Sequence, residues 1–308
     1  MFNIRHSTVN DELYHYTNAK SFKSIISNKC LRLFLVRADE KSEMYLTRKE
    51  FIEIMQNTLH LLGPLEPEVR GSLEKFCRES KEDVHDYFRE KTFYASFSTE
   101  YDSKHHWGCR YGDYGRGLAI AFNRNEFHKL FHYDSNANYQ PGFNELISEI
   151  SLNYHCDNIP EDFARWIKNY KKFRPTYSIN FNLMYHTFII VLKNKEYKLE
   201  KEVRIFLEDD EVRKAIRTYC WCERQRLPES LITVRSVLKK TRILKKIDES
   251  ERKYREFHMD SQWNSKLIPY VIRGPLCVLS HDDVRTILDE SGLKDTKIID
   301  SRAEITLI

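Results

Sequence analysis

The sequence predicts an α+β fold. Strand-like and helix-like segments are mixed along the chain without regular strand–helix–strand alternation. The opening nevertheless reads strand, helix, strand, and the tail reads strand, turn, helix, strand. With 308 residues, 41% of them apolar, the chain is long enough for a domain that buries roughly 75% of its unfolded surface. Disorder and fibrous repeats are excluded.

Each element has a local reason. Leu13 to Tyr16 is a short aromatic run between turn formers and reads as a strand. Asn18 then caps a helix carrying Phe22, Ile25 and Ile26, which stops at Asn28 before a strand over Cys30 to Val36. Residues 41–91 read as a helical insertion, with Leu46, Phe51, Ile54, Met55 and Leu59 at helical spacing. A break falls at Gly63-Pro64, and a second helix follows through Val69, Leu73 and Phe76. The run from Thr92 to Thr99 is β-branched and aromatic, hence a strand. Asp102 or Ser103 caps a short helix carrying Trp107 and Tyr111, GDYGRG is a turn, and Gly117 to Phe122 is a buried strand. Asn123 caps the next helix.

Residues 160–192 read as a second helical insertion around Phe163, Trp166 and Ile167. From Tyr197 to Leu207 apolar and charged residues alternate, the pattern of a half-exposed strand. IPYVIRGPL is a strand entering a Gly-Pro turn. Ser280 and Gly292 bracket a helix, and Thr296 onward is the last strand. One domain spanning 1–308 is expected, the insertions accounting for its length.

Composition excludes several classes. The longest apolar stretch, Phe188 to Leu192, falls far short of the roughly 20 residues that span a bilayer. The first residues lack an apolar signal region, so a cytoplasmic protein is expected. Seven scattered cysteines without a CxxC pair argue against a disulfide framework and a zinc ribbon, and no metal is expected. The nine glycines are about 3% of the chain, against a usual ~7%. Neither GxGxxG nor GxxxxGK[ST] occurs, so a bound nucleotide would have to do without those cradles.

Three strands carry polar residues that an ordinary half-buried strand does not require. They are His15, Tyr16 and Thr17; Ser96, Ser98 and Thr99; and Glu200, Glu202 and Arg204. With Trp107 and Tyr111, then Gly117, Ile120 and Phe122, and finally Gly274-Pro275, they follow the motif order of a bacterial family, the domain of unknown function 2971, which the chain resembles along nearly its whole length. Ala38 to Glu43 departs from that family's usual NDPxE-like turn. The family in turn looks like the ADP-ribosyltransferase superfamily, whose split β-sheet core holds NAD in a cleft and uses no glycine-rich loop.

That resemblance implies an NAD-dependent transferase, with NAD as substrate. Breaking the nicotinamide glycosidic bond passes through an oxocarbenium-like state, which a carboxylate aimed at the ribose stabilises. In an E-x-E strand the two side chains share a face, about 7 Å apart. Glu202 is then the catalytic residue and Glu200 orients acceptor or ribose. His15, with Tyr16 and Thr17, meets ribose hydroxyls and the nicotinamide amide, and Ser98 holds the adjoining polar network. Trp107 or Tyr111 stacks on the nicotinamide, and Arg204 meets the pyrophosphate. Taken alone, each motif also fits an ordinary role: a strand histidine in the core, a solvated EKEVR face, a packed aromatic pair.

Between Arg235 and Arg255 nine basic residues face three acidic ones, a local net of +6 in a chain of net +4. This segment, read as helical, is a candidate surface for RNA or DNA. A toxin or phage-defence role, with an antitoxin partner, is implied by the resemblance only. The rival classes are a catalytically silent nucleotide- or nucleic-acid-binding module and a helical interaction protein.

Overall fold

The computed structural model describes residues 11–35, 48–78, 93–130, 146–151, 159–173, 181, 195–208, 232–233, 245–247 and 253–304. Along the chain these form β1 (Glu12–Thr17), α1 (Ala19–Asn28), β2 (Cys30–Leu35), α2 (Arg48–Thr58), α3 (Glu66–Arg78), β3 (Phe93–Ser98) and α4 (Lys104–Trp107). There follow β4 (Leu118–Asn123), α5 (Arg124–Lys129), β5 (Leu146–Ser151), α6 (Ile159–Phe173), β6 (Glu202–Glu208), β7 (Ile232–Thr233), β8 (Lys245–Ile247), β9 (Lys253–His258), β10 (Tyr270–Arg273), α7 (His281–Glu290) and β11 (Lys297–Asp300). The fold is α+β, as the sequence predicts.

Helix ends sit where the capping residues place them. The Asn18 side chain accepts the Ser21 amide at 2.8 Å, and that of Asn123 accepts Glu126 at 3.0 Å. Ser280 and Asp283 form a reciprocal capping box, and Gly292 beyond α7 has φ +85°.

One sheet runs β11-β10-β4-β1-β3-β2-β9-β8, with β6 against β3, β5 against β6 and β7 against β5. β3 is the branch point. β6 pairs with β3 along all six residues from Phe93 to Ser98, so β1 and β2 share the opposite edge. β1 meets β3 at Tyr14↔Ser98, and β2 meets it at Phe34↔Tyr94 and Leu35↔Phe93. Between those contacts the two strands diverge and the sheet is split.

Alternation sorts the side chains onto two faces. Leu13, Phe93, Ala95, Phe97, Val203 and Ile205 join the main core, which α1, α5 and α7 close with Phe22, Phe127 and Leu288. The other face carries a smaller cluster of Tyr14, Tyr16, Trp107, Ala119, Ala121 and Ile272. The two stretches read as insertions meet each other: the Phe51 ring of α2 lies 5.7 Å from Phe76 of α3 and 5.6 Å from Phe163 of α6. Buried Lys171 of α6 pairs with Glu68 of α3 at 2.5 Å.

Several sequence readings are corrected. Lys195–Glu200 is a 3-10 turn rather than the start of a strand. β6 is not half-exposed, since Glu202 through Phe206 are all buried. It is flanked by β3 and β5, which a charged pattern alone does not reveal. The basic segment is not a helix where it is described, because 245–247 and 253–258 are paired strands that bring Lys245 opposite Arg255. Its residues 235–244 and 248–252 lie outside the described residues, as do 41–47, 79–91, 174–180 and 182–192 of the two insertions and the Ala38 to Glu43 turn. Among the described residues, no helix is long and apolar enough to cross a membrane.

Close approach requires glycine at 117 and at 274. A Cβ on Gly117 would collide with the Thr17 carbonyl oxygen, and one on Gly274 with that of Gly115. Gly71 in α3 has open space around it. Gly117→Ala is therefore expected to cost about 1–3 kcal/mol in urea unfolding, whereas Gly71→Ala should gain roughly 0.5–1 kcal/mol. Equal midpoints for the two variants would contradict the close approach.

Candidate functional site

The polar face of the branch point is built from alternate residues of β3 and β6. Register sets Ser98 opposite Glu202 and Ser96 opposite Arg204, so Tyr94, Ser96, Ser98, Glu202 and Arg204 share one face. Ser96 Oγ donates to Glu202 Oε1 at 2.5 Å. Arg204 Nε donates to the same oxygen at 2.7 Å, and its Nη2 donates to Oε2 at 3.4 Å. The guanidinium lies 4.7 Å from the Tyr94 ring centroid. Glu202 is 5% exposed and Arg204 8%. Burial opposes the Arg204 charge, but the adjacent Glu202 carboxylate outweighs it, with help from Tyr94 and Tyr111, and holds its pKa above the usual range.

Glu200 does not share this strand face. It ends the 3-10 turn, and Lys201 at φ +40° separates that turn from β6. The E-x-E arrangement is thus a turn residue followed by a strand residue, and the 7 Å spacing along one strand does not apply. Glu200 is buried, and its carbonyl accepts Ser98 Oγ at 2.7 Å. Ser98 Oγ also accepts the Glu100 amide at 3.0 Å. The serine thereby ties the exit of β3 to the entry of β6.

His15 stands elsewhere. It alternates with Tyr14 and Tyr16, and its ring lies 5.3 Å from that of Phe97, on the face opposite Glu202. Its Nδ1 lies 2.9 Å from the Ser96 carbonyl oxygen. A carbonyl only accepts, so Nδ1 carries the proton. The imidazole occupies the fork between β1 and β2, where, among the described residues, Ser96 has no strand partner on that edge. Burial lowers its pKa more than the Ser96 bond raises it. The arrangement of His15 and Glu202 around one ribose is therefore not what the structure presents.

Tyr16 and Thr17 are both buried. Tyr16 Oη donates to the Glu100 carbonyl and accepts the Ser103 amide, each at 2.9 Å, and its ring stacks on His106 at 4.5 Å. Thr17 pairs with Leu118 at the end of β1. Trp107 and Tyr111 do not share a helix: α4 ends at Trp107, and Tyr111 lies in the following turn Arg110–Gly115. Trp107 is fully buried, with Nε1 donating to Asp102 at 2.7 Å, and so offers no face for stacking. Tyr111 is half-buried and contributes to the electrostatics of Arg204. Ser96 and Tyr94 carry the site without having been assigned to it from the sequence. The alternation in FYASFS places both beside Ser98 and was the available signal.

Among the described residues, no group of three or more His, Cys, Asp or Glu is placed to hold a metal ion. Residues 109–205 match a family described as a protein of unknown function (DUF2971). The match takes in Tyr111, Gly117, Glu200, Glu202 and Arg204 and leaves His15, Ser98 and Trp107 outside it. No curated protein and no solved structure matches the chain.

Two predictions follow from these contacts. His15 has a folded pKa below its ordinary 6.5, so the unfolded chain takes up its proton first as pH falls. The stability it contributes is present above about 6.5 and is lost as pH drops toward the folded value. His15→Asn keeps an N–H near Nδ1 and removes the titration. Its unfolding free energy should fall less steeply than wild type between pH 7 and 5, and identical slopes would refute the assignment. For the buried pair, Glu202→Gln should cost about 3–5 kcal/mol by removing the carboxylate charge beside buried Arg204, and the double variant Glu202→Gln/Arg204→Met should recover most of it. Additive losses in urea unfolding would show that the two side chains are independent.

Proposed function

We propose that the chain is an NAD-dependent ADP-ribosyltransferase, which moves ADP-ribose from NAD to a macromolecular acceptor and releases nicotinamide. The observation that carries the reading is a buried carboxylate, Glu202, fixed by Ser96 and Arg204 beside a split in the sheet. Fixed charge is what an oxocarbenium-like centre requires, because a carboxylate already oriented needs no reorganisation as positive charge develops. In the proposed reaction the bond between C1′ of the ribose and the nicotinamide nitrogen breaks, and its electron pair neutralises the pyridinium. The acceptor atom then bonds to C1′ and gives up its proton.

The roles differ from those expected from the sequence. Glu202 remains the proposed catalytic residue. Ser96 is added as the group that orients it. Tyr111 is the proposed stacking partner for nicotinamide in place of buried Trp107. His15 becomes a positioning residue that holds the fork, and Glu200 supports Ser98 through its carbonyl. Arg204 as it stands is paired with Glu202, and it would meet a pyrophosphate only on leaving that pair.

That same pair favours a second reading, in which Arg204 neutralises the carboxylate and the chain is a silent nucleotide-binding module. Nucleic acid as acceptor rests on the charge of residues 235–255, and growth inhibition, as in a toxin or phage-defence effector, rests on the family resemblance.

Glu202→Asp separates catalysis from folding, since it keeps a negative charge beside Arg204 and withdraws it by one methylene. Wild type should release nicotinamide and label an acceptor from labelled NAD. Glu202→Asp should lose roughly 100-fold or more of that rate with an unfolding midpoint close to wild type. Calorimetry that detects NAD binding without nicotinamide release would choose the silent module, and no NAD binding at all would overturn both readings.

A further inference from the structure

Two turns interlock where β4 begins and β10 ends. Arg110–Gly115 leads into β4, and residues 274–278 leave β10. The Gly115 and Arg116 carbonyls accept the amides of Leu276 at 2.8 Å and Val278 at 3.1 Å. Inside the first turn the Tyr114 amide donates to the Cys109 carbonyl and the Gly117 amide to the Gly112 carbonyl, each at 3.1 Å. These bonds hold Asp113 at φ +51° and Tyr114 at φ +53°, left-handed conformations that glycine adopts freely and a side chain resists. Tyr114 receives little burial in return. It is 50% exposed, and among the described residues no other ring lies against it. Leu276 and Val278 are exposed beside it, so three of the five large apolar residues exposed among those described sit on these two turns.

The surrounding charge is basic. From Lys104 to Gly117 there are three basic residues and one acidic, a net of +2 with the histidines neutral. Lys104 and Arg110 are exposed, without ion-pair partners among the described residues. Arg116 meets Asp113 at 3.6 Å, with side chains 56% and 34% exposed. Exposed pairs of this kind contribute little, so a phosphate can take the aspartate's place. Acids on adjoining segments are engaged: Asp102 accepts from Trp107, Ser301 and the Arg302 amide, and Asp300 accepts from Arg273. Inward, the ring of Tyr111 lies 6.5 Å from that of His106, which stacks on Tyr16 of β1. The turn thus reaches from the surface to the polar face of the sheet.

We infer that this turn is a platform for single-stranded nucleic acid, on which Tyr114 stacks against a base while Lys104, Arg110 and Arg116 meet phosphates. Base–aromatic stacking requires an open ring face rather than a cavity, and half of Tyr114 is open to solvent. Because its backbone is pinned by the bonds of the two turns, the ring has little freedom left to lose on binding. A duplex keeps its base faces covered, so single strands are favoured. Leu276 and Val278 supply apolar surface for the sugar. An acidic peptide would satisfy the cations and leave the ring without a flat partner. As an acceptor site the platform rests on the transferase reading above, but binding is measured without NAD, so the two fail separately.

The probes are labelled oligodeoxythymidylate and oligouridylate, each about 12 nucleotides long, observed by fluorescence anisotropy with the full chain. Saturable binding is expected at about 1–100 μM in physiological salt. Tyr114→Gly should weaken it about 5- to 150-fold while the urea midpoint holds or rises, because glycine relieves the left-handed backbone. Tyr114→Phe keeps the ring and should bind like wild type. Arg110→Ala should flatten the slope of log affinity against log salt by about 0.7. Tighter oligouridylate binding assigns the strand to RNA, and tighter oligodeoxythymidylate binding assigns it to DNA. The inference is overturned by no saturable binding, by Tyr114→Gly and Arg110→Ala binding as wild type does, or by a duplex or polyglutamate bound as tightly as the single strands. A lowered midpoint with unchanged binding in Tyr114→Gly would overturn it too, leaving the ring a packing group.

Discussion

Two strands need the same edge of β3, and neither can have all of it. β6 occupies the other edge along its full length. β1 takes the end at Ser98 and β2 takes the end at Phe93 and Tyr94. The segment between them would expose an unpaired carbonyl inside the protein, at a cost of about 1–3 kcal/mol. His15 removes that cost by donating Nδ1–H to Ser96 O, and with its ring on Phe97 it holds the strands apart instead of letting them close. Tight contacts secure the β1 side of the split. Gly117 lets the turn before β4 lie on the end of β1, and Gly274 lets the end of β10 lie on Gly115.

The buried carboxylate depends on this branch point. Ser96 can reach Glu202 because β3 and β6 are fully zipped, and the same residue offers its carbonyl to His15 on the other side. One serine therefore links the fork to the carboxylate through backbone and side chain. Arg204 supplies the opposite charge beside Glu202, which is 5% exposed. The carboxylate faces a guanidinium, so a chemical role for Glu202 requires a ligand whose own positive charge competes with it.

Local signals in the sequence were legible because their causes are local. Asn18, Asn123 and Ser280 cap helices wherever they occur before an amphipathic run, and FYASFS alternates because β3 has an apolar and a polar face. What failed was whatever needed a neighbour far along the chain. The EKEVR pattern reads as solvated, since a buried ion pair and an exposed one use the same letters; only β5 on the far side of β6 decides between them. Lys201 at φ +40° broke the strand between two glutamates, and no glycine or asparagine announced it. Trp107 and Tyr111 kept helical spacing although α4 stops at Trp107. The basic segment looked helical because its charges mask period, and its pairing with β9 supplied the strand.

Register ties the two clusters of the polar face into one line. Tyr270, Ala121, Tyr14, Ser98 and Glu202 are successive cross-strand partners on β10, β4, β1, β3 and β6. With strands about 4.8 Å apart, Tyr14 lies about 10 Å and Tyr270 about 19 Å from Glu202 at the level of the backbone. Along that line large and small residues alternate, Tyr270, Ala121, Tyr14 and Ser98, before the buried carboxylate of Glu202, so each small residue sits between larger neighbours. The Tyr14–Ser98 and Ser98–Glu202 pairings set that spacing, and the fork opens only beyond them, where His15 takes the Ser96 carbonyl; the row is therefore fixed by the ladder while the split lies to one side of it.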